Sequence, residues 1–228
     1  MSRKSKQGPP PMAVDAAERA AKREEREAQR MAKADEAARR RKQKALARQL
    51  RTGGIAAAVV ALLVAAYLFM PQSASYTAGS EGRFVDGVLT FSNGTGHVTG
   101  PVAYAQTPPA GGEHNATWLN CGIYTEAVPN EFAVHALEHG AVWVTYDPGL
   151  SETDVETLRA LLPSTYIVMS PYVGLPTPVV LSAWNAQLRV DSASDPRIPL
   201  FLEEYWRSQR VPEPGALCSG GYSAPGRS

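Results

Sequence analysis

The chain of 228 residues is long enough for one or two domains, and its formal net charge of +1 hides a sharp split. Residues 1–52 hold 16 Lys+Arg against 7 Asp+Glu, a net of +9, whereas residues 53–228 hold 7 arginines, no lysine and 15 acids, a net of −8. This division excludes a uniformly charged body and puts the two parts in different environments.

The first dozen residues, with Pro9-Pro10-Pro11, read as disordered. Residues 13–51 are rich in Ala, Glu, Lys and Arg, a composition that favours helix. Apolar residues beyond alanine are sparse there (Val14, Met31, Leu46 and Leu50), and no a/d heptad supports a coiled coil. The expectation is a solvated, marginal helix, or disorder, running into the next segment. The basic run "RRRKQK" at 39–44 reads as a membrane-proximal cluster facing anionic lipid, where each charge contributes about 1 kcal/mol. It is not read as a nucleic-acid patch.

"GGIAAAVVALLVAAYLFM", Gly53 to Met70, is 18 residues without a charge. At about 1.5 Å per residue it spans roughly 27 Å, close to a bilayer core. Ser73-Ala74-Ser75 has the look of a signal-peptidase site, but the basic region before the apolar run is far longer than a signal peptide's. An uncleaved transmembrane helix is the expectation. Arg39, Arg40, Arg41, Lys42, Lys44, Arg48 and Arg51 crowd its N-terminal flank, and the first basic residue beyond it is Arg83. The positive-inside rule then places residues 1–52 in the cytoplasm and residues 71–228 outside the plasma membrane.

Residues 71–81 read as a linker, 82–220 as an extracytoplasmic α+β domain with one core, and 221–228 as a disordered tail. "RFVDGVLTF" carries a hairpin signal at Asp86-Gly87, and Asn93-Gly94 marks a turn. "PPAGGEHN" is a loop. Asn130 is placed to cap a helix over 131–139 that Gly140 ends. "AVWVTY" is a strand. Ser151 and Asp154 resemble a capping box, opening a helix whose buried face is Val155, Leu158, Leu161 and Leu162 and which Pro163 ends. "YIVMS", "VVLSAW" and "QLRV" read as strands. A last helix near 196–208 buries Ile198, Phe201, Leu202 and Tyr205. A β-rich entry followed by α-β-α-β-β-β-α implies a mixed or antiparallel sheet.

Cys121 and Cys218 are the only cysteines, and both fall on the outer side. An even count in an oxidising compartment favours a disulfide between them. Closing a loop of about 100 residues stabilises by up to about 4–5 kcal/mol in the chain-entropy description.

All four histidines, His97, His114, His135 and His139, lie in the same domain, in a window without Lys or Arg. Imidazoles free of competing cations suit a divalent ion, because a bound ring nitrogen must be neutral. On a helix, His135 and His139 are i and i+4 and project from one face. His114, in its glycine loop, completes a three-histidine set, with His97, Glu113 and Glu138 as further candidate ligands. Zinc or copper is the ion such ligands suit.

Three functions compete on these residues. One is a transition-metal site. Another is a non-catalytic interaction domain serving an unknown envelope protein, with structural histidines. The third is a metal-dependent hydrolase, since His135-Ala136-Leu137-Glu138-His139 matches H-x-x-E-H, with Glu138 as base and Glu203 or Glu204 as third ligand. Against the third stands Gly140, which cuts the helix short. A nucleophilic Cys121 would require Cys218 to leave it unpaired. No G-x-S-x-G elbow, phosphate loop or C-x-x-C occurs, and no enzyme activity is favoured. The four tryptophans read as packing.

"QTPPAGGEHNATWLNCGIY", "VHALEHGAVWVTYDP", "PTPVVLSAW" and "PEPGALCSGG" together resemble an uncharacterised bacterial single-span membrane family, the domain of unknown function 3105 family. The resemblance runs from Phe84 to Gly221 and includes the plan of basic tail, single span and outer domain. His97, His114, His135, Glu138, His139, Cys121 and Cys218 match that family's pattern in residue type. The resemblance implies an architecture and carries no activity.

Overall fold

The structure, a computed structural model, describes residues 11–69, 73–79 and 82–228, with side chains from Glu18 onward. The disorder expected at the N-terminus falls on residues 1–10, outside the described residues, while Pro11 already belongs to a helix. Residues 71, 72, 80 and 81 of the expected linker also lie outside them. The chain divides into two compact units, Met1–Met70 and Pro71–Ser228.

The first unit is one helix, α1 (Pro11–Phe69), of 59 residues. Its polar part carries exposed i, i+4 pairs, Lys22–Glu18 at 2.9 Å and Arg40–Glu36 at 2.6 Å, each worth a few tenths of a kcal/mol at about 0.3–0.5. Its apolar end is long and apolar enough to cross a membrane. Leu62, Leu63, Leu68 and Phe69 are 65–87% exposed, whereas a core helix would bury them.

The second unit runs β1 (Leu89–Thr90), β2 (Gly122–Ile123), α2 (Asn130–Glu138), β3 (Val142–Tyr146), α3 (Glu152–Ala160), β4 (Ile167–Pro171), β5 (Val179–Ala183), β6 (Ala186–Val190) and α4 (Arg197–Tyr205). The strands form a six-stranded sheet in the order β1-β6-β5-β3-β4-β2. β4 is parallel to β3 and β2, and the other pairings are antiparallel, so the sheet is mixed.

The four central strands, β3 to β6, are buried on both faces, which is why they read as near-continuous apolar runs. Alternation along β3 and β4 separates two cores. Val142, Val144, Ile167 and Met169 point to one face, with Leu158 of α3 and Ile198, Phe201 and Leu202 of α4. Trp143 and Val168 point to the other, with Val134 and Leu137 of α2, Leu119 and Tyr124. Each fully buried large side chain contributes about 1.5–3 kcal/mol relative to exposure. Two polar side chains inside the domain are paired: Trp143 Nε1 donates to Ser170 Oγ at 3.0 Å, and Gln187 Nε2 to the Pro108 carbonyl at 2.9 Å.

α3 begins as its sequence indicates. Ser151 Oγ accepts from the Asp154 amide at 3.2 Å and donates to the Asp154 carboxylate at 2.7 Å. Four expectations give way. Asn130 is the first residue of α2 rather than its cap, because its side-chain amide donates to Tyr172 Oη at 3.3 Å. Asp86-Gly87 makes a turn but no hairpin, since β1 pairs with the distant β6. The β-rich entry reduces to two strands of two residues each. The tail at 221–228 is not disordered: its backbone meets Asn120, Thr125 and Ile123, with Asn120 N donating to Tyr222 O at 2.7 Å and Ser228 N to Ile123 O at 2.9 Å.

Candidate metal centre

α2 carries His135 and Glu138, and His139 is its C-cap; all three are buried. Spacings of three and four bring them to one side of the helix. The helix ends in a Schellman motif: the Gly140 amide donates to Leu137 O at 2.9 Å and the Ala141 amide to Ala136 O at 3.0 Å. Gly140 adopts φ +97°, and a Cβ there would lie 3.2 Å from Arg207 Cα. Only glycine fits. The turn fixes the direction in which Glu138 and His139 leave the helix.

The other two histidines meet through an isolated parallel β-bridge, His97 opposite His114. It is held by Val98 N donating to His114 O at 2.8 Å and His114 N donating to Gly96 O at 2.9 Å. Residues paired across a ladder present their side chains on the same side. The rings of His97, His114 and His135 lie 4.8–5.0 Å apart, centroid to centroid, and His139 is 4.6 Å from His135. Trp184 packs edge-on against His114 at 5.9 Å, and Trp118 lies 5.3 Å from His139 and 5.9 Å from His135. Two of the four tryptophans therefore wall the cluster, a role beyond core packing.

The three buried rings share one device. His114 Nδ1 meets Gly112 O at 2.8 Å, His135 Nδ1 meets Asn115 O at 2.7 Å, and His139 Nδ1 meets Leu217 O at 2.7 Å. A carbonyl oxygen only accepts, so each Nδ1 carries the proton. In the neutral ring the lone pair is then on Nε2, turned into the cluster. This is the arrangement that orients imidazoles toward a metal. Burial lowers the pKa of His135 to about 4, opposed by its bond to the Asn115 carbonyl and reinforced by His139, His114 and His97. That ring is neutral at physiological pH.

The candidate ligand atoms fall into two groups. His97, His114, His135 and Glu138 offer one ligand atom each, all within 4.8 Å of one another; His135, His139 and Glu213 form a second such set. Glu138 Oε2 is 2.8 Å from His114 Nε2 and 3.9 Å from His97 Nε2. Glu213 Oε2 is 3.3 Å from His139 Nε2. Two ligand atoms on one tetrahedral ion, with bonds near 2.0–2.1 Å, are about 3.3 Å apart, and about 2.9 Å when they meet at a right angle.

His114 Nε2 is fully buried and makes no hydrogen bond, although the Glu138 carboxylate lies beside it. The oxygen is off the line along which that nitrogen would donate. An unpaired buried polar atom costs about 1–3 kcal/mol, and a buried carboxylate needs a compensating charge. A cation between the two would meet both demands.

His114 and His135 thus share a group with His97 and Glu138, while His139 stands with Glu213 on the other side of His135. Glu113 is exposed and belongs to neither group. Glu203 pairs with Arg83 at 3.1 Å, and Glu204 with Arg210 and the amides of Gly82 and Arg83, so neither serves as a third ligand for the H-x-x-E-H stretch. α2 has nine residues and ends at Glu138. Cys121 is bonded to Cys218, with Cα atoms 5.3 Å apart, so it is not a free nucleophile.

Glu213 was not read as a ligand. Its segment docks on the end of α2, where the Glu213 amide donates to Glu138 O at 3.1 Å and the Gly215 amide to His139 O at 3.3 Å. These carbonyls have no partner within the helix. The one local signal was Cys218, five residues on, whose disulfide holds this segment beside the cluster.

Residues 97–220 match a family described as "Protein of unknown function (DUF3105)". The chain belongs to that family. No curated protein and no solved structure matches it.

Proposed function

We propose that this member of the DUF3105 family is a single-pass membrane protein whose C-terminal domain binds one divalent transition-metal ion. α1 anchors it, with the basic residues 39–51 facing the cytoplasm and anionic lipid, and the domain lies outside the plasma membrane. The observation that carries the metal reading is the pair His114 Nε2 and Glu138 Oε2, 2.8 Å apart, buried and unbridged by a hydrogen bond. His135 Nε2 and the half-exposed His97 complete a set of three nitrogens and one oxygen. Imidazole with carboxylate suits zinc, copper(II), nickel or cobalt better than calcium or magnesium.

The proposal supports a binding site and no reaction. Glu138 is placed as a ligand, since its carboxylate already lies beside a ligand nitrogen. The full-length protein in detergent micelles, loaded with Zn(II) and desalted, should retain one ion per chain by elemental analysis. A chelator should lower its melting temperature. No retained ion and an unchanged melting temperature would overturn the metal reading and favour a structural role for the histidines. For the topology, a membrane-impermeant protease should cut the domain from intact spheroplasts; protection of the domain would reverse the assigned orientation.

A further inference from the structure

We infer that His135 is a pivot between two mutually exclusive positions for a single ion, one with His97, His114 and Glu138 and one with His139 and Glu213. This rests on the metal-binding reading above and extends it. Each set of ligand atoms lies within 4.8 Å, and His135 is the residue common to both. A histidine bridges two metals only through both ring nitrogens. Here Nδ1 of His135 is committed to the Asn115 carbonyl at 2.7 Å, which leaves one nitrogen for two coordination sets. One lone pair binds one ion at a time, so the sets compete.

The second set has its own built geometry. His139 Nδ1 is tied to Leu217 O at 2.7 Å, which turns Nε2 toward Glu213 Oε2 at 3.3 Å, close to the tetrahedral edge of about 3.3 Å. The same backbone segment that supplies Glu213 and the Leu217 carbonyl closes the end of α2, so the second position is a product of the helix cap. Each set also has one end near solvent: the His97 side chain is 47% exposed and the Glu213 side chain 51%. An ion can therefore reach His135 from either side and leave by the other. The first set has four donors and a buried carboxylate, the second three donors and an exposed one. The first is the tighter position and the second the more labile, an arrangement that suits passing an ion on rather than storing it.

Co(II) alone is the probe, because its visible absorption reports its ligands. The full-length protein in detergent should bind one Co(II) per chain. The His97→Ala/Glu138→Gln variant should still bind one, at least ten-fold more weakly and with shifted absorption bands. The His139→Gln/Glu213→Gln variant should also bind one and keep the bands of the first position. Adding His135→Gln to the first variant should abolish binding, and adding it to the second should weaken binding without shifting it to the other position. If Glu138→Gln fails to fold, His97→Ala alone, at an exposed position, should raise the share of the second spectrum. Two ions per wild-type chain would overturn the exclusivity. No binding by a folded His97→Ala/Glu138→Gln protein, with one ion on the wild type, would remove the second position and leave the first intact. No binding by the wild type would instead overturn the metal reading itself.

Discussion

The two ligand sets around His135 are held by different means. On the first side, His97 and His114 are fastened by a β-bridge whose hydrogen bonds run between neighbouring loops, and Glu138 is buried. On the second, His139 faces a segment that lies against the helix end and is tied to the rest of the domain at Cys218. Candidate ligands one helical turn apart acquire different character from what faces them. His135 and His139 are one turn apart and chemically alike, yet His139 is grouped with the exposed Glu213 whereas His135 is grouped with both carboxylates.

Removing the covalent tie should have the largest effect. A Cys121→Ser/Cys218→Ser protein loses a cross-link spanning 97 residues, and the expected loss of stability is about 2–4 kcal/mol by denaturant melt. Hydrogen exchange should quicken at the Glu213 and Gly215 amides far more than at Val98. Equal acceleration at all three would break the contrast between the sides.

Gly140→Ala should cost about 2 kcal/mol, from the positive φ and the approach of Arg207. It should weaken ion binding in both positions, because the turn aims Glu138 and His139 alike. An effect on only one would show that the cap does not couple them.

Acid should act through His135 in the metal-free protein. Its folded pKa of about 4 lies below the ordinary value of 6.5, so the unfolded chain binds the extra proton first. Stability should be at its full value above about pH 6.5, fall as pH drops toward about 4, and level off below. The change attributable to this residue is up to about 3 kcal/mol, reached only below about pH 4. His135→Gln should flatten this part of the profile. An unchanged profile in that variant would show that the ring does not stay neutral on burial.

Glu213→Gln is expected to shift stability least, by less than about 0.5 kcal/mol, because the side chain is half exposed. A destabilisation above 1 kcal/mol in the metal-free protein would mean that the carboxylate supports the helix end rather than an ion.

The elements nearest the site were legible from local pattern. Val142–Tyr146 and Ile167–Pro171 are β-rich apolar runs, Ser151 with Asp154 is a complete cap, and Gly140 can hold the left-handed conformation that closes α2. His135 and His139 were visible as a pair because a helix places i and i+4 together. α2 starts at Asn130 and not after it, and the Asn130 side-chain amide donates to Tyr172, just beyond β4. The tail at 221–228 looked disordered from its glycines, serine and proline, yet it docks through backbone hydrogen bonds that composition does not encode.

The charge split, the long apolar helix, the pairing of two cysteines and the concentration of imidazoles in one domain are all legible in residue order alone. These follow from local periodicity, composition and count. Which candidate ligands lie together follows only from the folded chain. His97 meets His114 through a bridge between loops, and His139 meets Glu213 across 74 positions of chain. Such partnerships depend on where distant backbone segments satisfy each other's open amides and carbonyls, and residue spacing along the chain holds no record of that.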